Sequence, residues 1–343
     1  MSIALFRKNT VILKADNQQA GGPAKVYFLG SGELGIPALR AIHESPDVTL
    51  VGVGTQPDRP SGRHRHLHST PLGAAAVALG LCPDKPVSVN AADFIARLSD
   101  MSPDVLLVVS YGQILRSPVL ALPACGCVNV HASLLPRHRG ASPIQAAILA
   151  GDTETGVTFM RMDEGLDTGG VYTRVTRPLD GTETTLTLEK DLAELAGEHI
   201  VGVIQSVVTG NMKPVPQDDS LATLAKKIKK SQGEIMWTRT AGKLECQVRA
   251  FTPWPHAWFY IPAKKGRKRI HIIAASVEAG NHGAHTPGEV VQADQHGWII
   301  ACGGDRLRIL RVVPEGRPEM SAEEFLRGTR IAVGDILPMP DSA

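Results

Sequence analysis

From Lys25 to Val208 the chain repeats one pattern: a short apolar, often β-branched run that stops at a glycine or polar turn, then a stretch of helical character. Lys25 to Leu29 is the first such run, ended by Gly30, and Pro37 to His43 reads as the helix behind it. Val48 to Val53, Asp104 to Val109, Val128 to His131 and Val157 to Met162 read as further strands. Pro71 to Gly80, Ala91 to Ser99, Pro143 to Ala150 and Thr184 to Val208 read as helices. Regular alternation of this kind predicts an α/β domain: a Rossmann-like parallel sheet with helices on both faces.

The character changes near Gly210. Asn211 to Asp219 is polar and holds Pro214 and Pro216, the composition of a linker. Beyond it Ile270 to Ala275, Gly288 to Gln292, Trp298 to Ala301 and Leu307 to Val313 read as short strands between Gly and Asp clusters, which suggests a small, OB-like β-barrel. The expected layout is a flexible lead-in over 1–24, a catalytic α/β domain over 25–210, a linker over 211–222 and a basic β-barrel domain over 223–343.

Charge separates the halves. The net charge of the 343 residues is only +2. Residues 1–222 hold 18 Lys and Arg against 22 Asp and Glu, whereas residues 223–343 hold 18 against 12. Within 223–270 the balance is 12 basic to 2 acidic. Such an excess suits a polyanionic partner; a solvated basic face is the plainer alternative. The five cysteines (Cys82, Cys125, Cys127, Cys246, Cys302) show neither a disulfide framework nor a paired zinc spacing, and fit a reducing compartment. No apolar run approaches the length of a membrane span. Met1 to Ala24 carries Arg7, Lys8 and Lys14 without a sustained apolar core, so it does not read as a secretory signal.

Two segments invite chemistry. Gly30-Ser31-Gly32-Glu-Leu-Gly35 follows a strand and precedes a helix, the context of a dinucleotide fingerprint, yet the acidic residue expected about 20 positions on is missing from the second strand. Val128-Asn129-Val130-His131 is the other. Asn129 and His131 are two apart on a strand, so their side chains leave the same face. An amide donor beside an imidazole at a strand's C-terminal end suits a developing oxyanion. Downstream, Met162-Asp163-Glu164-Gly165-Leu166-Asp167-Thr168-Gly169-Gly170 offers carboxylates able to orient that imidazole or take a proton. The bland alternative makes Asn129 a loop cap, His131 a satisfied core residue and the aspartates turn formers.

Taken in order, Asn129-Val-His131, Ser133-Leu-Leu-Pro136, Arg139-Gly140 and Asp163-x-Gly165-Leu-Asp167-Thr-Gly169 resemble the folate-dependent formyltransferases. The likeness extends to Thr55-Gln-Pro-Asp-Arg-Pro-Ser-Gly-Arg63, Tyr111-Gly112, Pro143-Ile-Gln145, Gly151-Asp-x-Glu-Thr-Gly156 and Arg249-Ala-Phe-Thr-Pro-Trp-Pro255. The first and last of these are the more selective, and are similar to the members that formylate methionyl initiator tRNA. The chain departs from the pattern at Gly30-Ser31-Gly32, at Ala132 where Gly is common, at His138 where Trp is common, and at Gly170 where Asp is common.

The resemblance implies transfer of a formyl group from N10 of 10-formyltetrahydrofolate to a primary amine, with no metal. Asn129 would donate to the oxyanion, His131 would add a donor or supply a proton, and Asp167 would take the amine proton and orient His131. The folate would lie between Ser110, Tyr111, Gly112, Gln113 and Ile114 on one side and Asp163, Gly165, Leu166 and Thr168 on the other. Ser133, Leu134, Leu135 and Pro136 would complete that site. The acceptor, methionyl initiator tRNA, would cross the Gln56 to His68 loop at Arg59, Arg63 and Arg65. Its backbone would meet Lys226, Lys227, Lys229, Lys230, Arg249, Lys264, Lys265, Arg267, Lys268 and Arg269. The implied setting is a monomer in a bacterial cytoplasm, an organelle being the alternative, with no membrane partner. His64, His66 and His68 alternate in the basic loop, a pattern better suited to a segment ordered by RNA than to a metal cluster. The rival readings are an NAD-linked oxidoreductase, which leaves Asn129, His131 and Asp167 without a task, a non-catalytic RNA-binding protein, and a sugar-nucleotide N-formyltransferase, which does not need the basic second half.

Overall fold

The structure, a computed structural model, describes residues 22–61, 66–263, 266–280 and 285–340. Arg63, His64, Arg65, Lys264 and Lys265, all singled out above, lie outside the described residues. In chain order the first half contains β1 (Ala24–Gly30), α1 (Ile36–Glu44), β2 (Val48–Gly54), β3 (Arg59–Ser61), β4 (His66–His68), α2 (Pro71–Ala78), α3 (Ala92–Met101) and β5 (Val105–Val109). It continues with α4 (Ser117–Leu120), β6 (Cys127–His131), β7 (Arg139–Gly140), α5 (Pro143–Ala150), β8 (Glu154–Arg161), β9 (Val171–Pro178) and α6 (Thr185–Val208).

The central sheet has the order β2-β1-β5-β6-β8-β9. The first four strands are parallel, and β8 and β9 join as an antiparallel pair. The expected Rossmann-like parallel sheet is thus present, extended at one edge by an antiparallel β8–β9 pair joined through residues 162–170; β9 has no strand-like run in the sequence. Both faces are covered. Val105, Leu107 and Val109 of β5 face a core built with Leu39 and Ile42 of α1, Leu72 of α2, Ile148 of α5 and Leu192 and Ile200 of α6. Leu106 and Val108 face the other way, onto Phe94 and Leu98 of α3. Side chains that alternate between two buried faces are why these strands read as unbroken apolar runs. α6 starts with a reciprocal cap: the Thr184 hydroxyl accepts from the Thr187 amide, and the Thr187 hydroxyl accepts from the Thr184 amide.

The glycine-rich segment after β1 is a packing feature. A Cβ on Gly30 would lie 2.9 Å from the Val109 carbonyl oxygen, and one on Gly35 would lie 2.7 Å from Leu72. The glycines thus allow the turn to sit against β5 and α2 with no nucleotide required.

The second half contains β10 (Leu224–Ala225), α7 (Ala241–Ala250), β11 (Ala257–Pro262), β12 (Arg267–Glu278), β13 (Val290–Asp294), β14 (Gly297–Ala301), β15 (Arg306–Pro314), β16 (Met320–Ser321) and α8 (Ala322–Arg327). Its main sheet runs β11-β12-β15-β14-β13, antiparallel, and no pairing closes β13 onto β11 among the described residues. The expected barrel is therefore a half-barrel, wrapped around Trp237, Phe259, Trp298 and Phe325. Each of these buries an aromatic side chain worth about 1.5–3 kcal/mol. The halves share packing: Ala250 and Phe251, at the end of α7, join the core of the first half, and the Thr185 hydroxyl donates to the Ala250 carbonyl at 2.6 Å.

Candidate active site

Asn129 and His131 project from β6, which pairs with β5 on one side and β8 on the other. Asn129 is half-buried and its amide makes no side-chain hydrogen bond with a described residue. Its amide is thus left available to a polar group that enters the site.

His131 closes β6 and is buried. Its Nε2 lies 2.9 Å from the His138 carbonyl oxygen. A carbonyl can only accept, so Nε2 carries the hydrogen and donates, and the neutral ring keeps its lone pair on Nδ1. That Nδ1 faces Asp167 Oδ2 at 3.6 Å. Burial holds the His131 pKa below the ordinary 6.5, against the opposing pull of the Asp167 carboxylate and the His138 carbonyl. The resting ring is neutral near pH 7.

Asp167 reaches the site because the β8–β9 loop folds back. Its φ is 54°, the left-handed region that a non-glycine residue enters only when held there. The Gly140 amide donates to its Oδ2 at 2.8 Å. Within the same loop Asp163 Oδ1 accepts from the Gly165 amide at 3.0 Å and from the Thr168 hydroxyl at 2.7 Å, fixing the turn.

The other candidate wall is the segment after β5. Ser110 takes a φ of 48° and Gly112 one of 86°. The Ser117 hydroxyl donates to the Glu164 carboxylate, tying this side to the acidic loop. Ile114 is 81% exposed and Leu166 is 64% exposed, one exposed apolar side chain on each of the two segments. Tyr111 and Gln113 offer only backbone. The Tyr111 side chain is in the core, and the Gln113 amide is used within the fold, accepting from the Val89 amide and donating to the Val87 carbonyl. Ser133 and Leu135 are buried, and Ser133 Oγ donates to the Arg137 carbonyl, so any contact they make with a folate would be through backbone. Leu134 and Pro136 continue that supporting turn.

A groove of about 470 Å³ opens between the glycine turn and the β3–β4 hairpin, lined by Ser31, Gly32, Gln56, Arg59, His68 and Gly112 among others. It lies over the C-terminal ends of β1, β2 and β5, next to the Ser110–Ile114 wall. Ser31 ties its floor, donating to the Tyr111 carbonyl at 3.2 Å while the Gln56 amide donates to Ser31 Oγ.

Two profiles of one family match this chain: one described as formyl transferase over residues 24–204, the other as its C-terminal domain over residues 227–330. The chain belongs to the formyl transferase family. Over 318 residues this formyltransferase is 39% identical to the methionyl-tRNA formyltransferase of Methylacidiphilum infernorum, covering 92% of the chain and 99% of the relative. Its fold is like that of a HypX variant from Aquifex aeolicus, with a TM-score of 0.59 at 16% identity, over 90% of this chain and 49% of that one. It is also like the N-formyltransferase from Helicobacter canadensis, with a TM-score of 0.57 at 16% identity, over 83% and 98%.

The basic residues of this formyltransferase divide. Lys226, Lys227, Lys229 and Lys230 are exposed on the segment that follows β10, and Arg59 is exposed beside the groove. Arg267 is exposed and Lys268 half-exposed on β12. Arg269 lies over the Trp258 ring at 4.4 Å and donates to the Tyr260 hydroxyl at 2.8 Å. Arg249 has internal partners. It donates to Glu245 and to the Glu183 carbonyl at 2.9 Å, so its guanidinium is consumed in joining α7 to the first half. Among the described residues no helix is long and apolar enough to cross a membrane, and no group of His, Cys, Asp and Glu is placed to hold a metal ion.

Sequence reasoning missed three supports of the site. Gln217 and Thr223, in and just after the stretch read as a linker, hydrogen-bond to its backbone, and His138 acts through its carbonyl. The grip of a side chain on a distant peptide group leaves no spacing signal in a sequence.

Proposed function

We propose that this formyltransferase transfers the formyl group of 10-formyltetrahydrofolate to the α-amino group of methionyl initiator tRNA, acting as a monomer in the cytoplasm. The observation that carries the chemistry is the convergence of Asn129, His131 and Asp167. Likeness to a methionyl-tRNA formyltransferase along nearly the whole chain, basic second half included, supports the acceptor. A folate suits segments 110–114 and 163–168, each of which carries an exposed apolar side chain, Ile114 and Leu166, beside backbone groups able to hydrogen-bond a ring. When bound, the folate supplies an activated formyl carbon on N10.

The chain's own residues do the rest. As the amine nitrogen bonds to the formyl carbon, Asn129 donates its free amide hydrogen to the oxygen that becomes negative, a contribution of about 3 kcal/mol. The attacking nitrogen must lose a proton. Asp167, held by the Gly140 amide, accepts it and can pass it to the lone pair of His131 Nδ1, 3.6 Å away. Nδ1 is the only free ring nitrogen of His131, so this residue becomes a donor only after taking that proton, which it returns to N10 as the carbon–N10 bond breaks. The acceptor's 3′ end crosses the groove beside Arg59, and Lys226, Lys227, Lys229 and Lys230 meet its backbone. The test is to supply 10-formyltetrahydrofolate with methionine-charged initiator and elongator tRNA and measure formyl-methionine. Formylation confined to the initiator is expected. Formylation of neither, with folate still bound, would overturn the acceptor assignment and point to amino-sugar acceptors.

A further inference from the structure

Residues 215–225, which join the two halves, run along the back of the candidate site. Val215 pairs with Val171 at the start of β9, each amide donating to the other's carbonyl at 2.9 and 2.7 Å. Leu224 and Ala225 of β10 pair with Arg139 and Gly140. Between these two docking points sit two supports of the site. Gln217 Oε1 accepts from Arg139 Nε and Nη2 at 3.1 and 2.8 Å, and since Arg can only donate, the Gln217 amide orientation is forced. Its Nε2 donates to the carbonyls of Asp167 and Gly169 at 2.8 and 2.7 Å. Those bonds clamp the peptide that follows Asp167, the residue in the left-handed region.

Thr223 performs the matching task for the histidine. Its Oγ1 accepts from the His138 amide at 2.8 Å, and its carbonyl accepts from the Arg139 amide at 2.8 Å. His138 is itself left-handed, with φ 61°, and its ring is anchored on Asp152 at 2.7 Å. The carbonyl that Thr223 helps to aim is the one receiving the His131 Nε2 hydrogen.

We infer that Gln217 and Thr223 are positioning residues of the active site: the joining segment holds the Asp167 carboxylate in place through one and fixes the His131 tautomer through the other. This rests on the reading that Asn129, His131 and Asp167 carry the chemistry. Losing the Thr223 hydroxyl removes the acceptor of the His138 amide and leaves the peptide that carries the His138 carbonyl held only by the Arg139 amide, so the acceptor of Nε2 is less firmly aimed and the ring hydrogen can move to Nδ1. Losing the Gln217 donors lets Asp167 leave its left-handed conformation and withdraw from His131.

The test uses the full chain with Thr223→Val, Thr223→Ser and Gln217→Met. Two readouts are taken: initiator tRNA formylation, split into kcat and KM, and the ¹⁵N chemical shifts of the His131 ring, assigned with His131→Asn. The expected result for Thr223→Val is a ring moving from the Nε2–H form to a mixture, and a kcat lower by about 10- to 100-fold with both KM values little changed. Thr223→Ser, which keeps the hydroxyl, is expected to restore both. Gln217→Met should lower kcat similarly, and it provides the test if Thr223→Val does not fold. Wild-type kcat and ring shifts in Thr223→Val and Gln217→Met would overturn the inference. So would equal losses in the Ser and Val variants accompanied by equal loss of melting temperature. A wild-type chain that formylates no tRNA, yet shows the tautomer change in Thr223→Val, would sink the acceptor reading and leave the positioning role standing.

Discussion

The Asp167 oxygen that faces His131 is the same oxygen that accepts the Gly140 amide. One carboxylate oxygen therefore has a fixed backbone donor on one side and an imidazole lone pair on the other. It is oriented without being neutralised, the state a proton acceptor needs. Asp167→Asn keeps the shape, and Asn tolerates the left-handed region, but it cannot take the amine proton. Its kcat is expected to fall by about 10²- to 10⁴-fold with folate binding retained. Single-turnover formylation and folate titration check this; turnover near that of the wild type would remove Asp167 from the mechanism.

Asn129→Ala removes a donor that the fold itself does not use. It is expected to cost about 10²- to 10³-fold in kcat. Because the amide makes no side-chain hydrogen bond with a described residue, the melting temperature should stay close to that of the wild type. A large loss of stability instead would make Asn129 a structural residue.

Burial depresses the His131 pKa below 6.5, so the acid limb of the kcat/KM profile should fall below pH 6.5. Stability moves with it. Burial also depresses His256 and His271, whose rings lie 5.4 Å apart. Between each folded pKa and the unfolded value of 6.5 the unfolded chain binds more protons than the folded one. Stability is thus fully present above the unfolded pKa and is lost as pH falls below it. Melting curves taken from about pH 7.5 down to about 5.5 should show a falling midpoint. A midpoint that rises over that range would contradict these burial effects.

Gly140 has a φ of 123°, and a Cβ there would stand 2.6 Å from the Ala225 carbonyl oxygen. Gly140→Ala therefore strains the backbone and pushes β7 from β10. A loss of at least about 1–3 kcal/mol is expected in denaturant unfolding, together with reduced turnover, because the Gly140 amide also serves Asp167. Unchanged stability would mean that the β7–β10 pairing is dispensable.

Replacing Lys226, Lys227, Lys229 and Lys230 together by Ala should weaken tRNA binding. The slope of log affinity against log salt should become shallower by roughly one unit for each phosphate that these lysines neutralise. A slope identical to that of the wild type would place the tRNA backbone elsewhere.

The strands of the first half were legible because residues such as Val105 to Val109 are buried on both faces and leave an unbroken apolar run. β9 was not, because Val171-Tyr-Thr-Arg-Val-Thr-Arg-Pro178 is an edge strand that mixes Thr and Arg with its apolar residues. Asn129 and His131 were readable as a pair from their spacing on a strand, whereas Asp167 was singled out among the loop carboxylates by the resemblance to the family; chain geometry places its carboxylate beside His131 at the end of β6. The supports were not identifiable. Gln217 lay in a stretch whose prolines and polarity describe a linker, and neither its grip on two carbonyls nor the His138 carbonyl that selects the His131 tautomer has a compositional trace. The internal bonds of Arg249 are illegible for a related reason: a basic residue in a basic region has the same sequence signature whether it meets phosphate or an internal carbonyl.

The docking of residue 215 on residue 171 bears on solubility as well. β9 is the outermost strand of the central sheet, and an open row of strand amides invites addition of a foreign strand. Here Val215 occupies the start of that row, and Arg177, paired with Glu183 and Asp191, interrupts it further on. At the opposite margin Asp84 exchanges hydrogen bonds with Val53 and Thr55 at the end of β2. The segment that joins the halves is therefore also a guard: a chain nicked or unravelled there would expose a ready template for self-association before its core came apart.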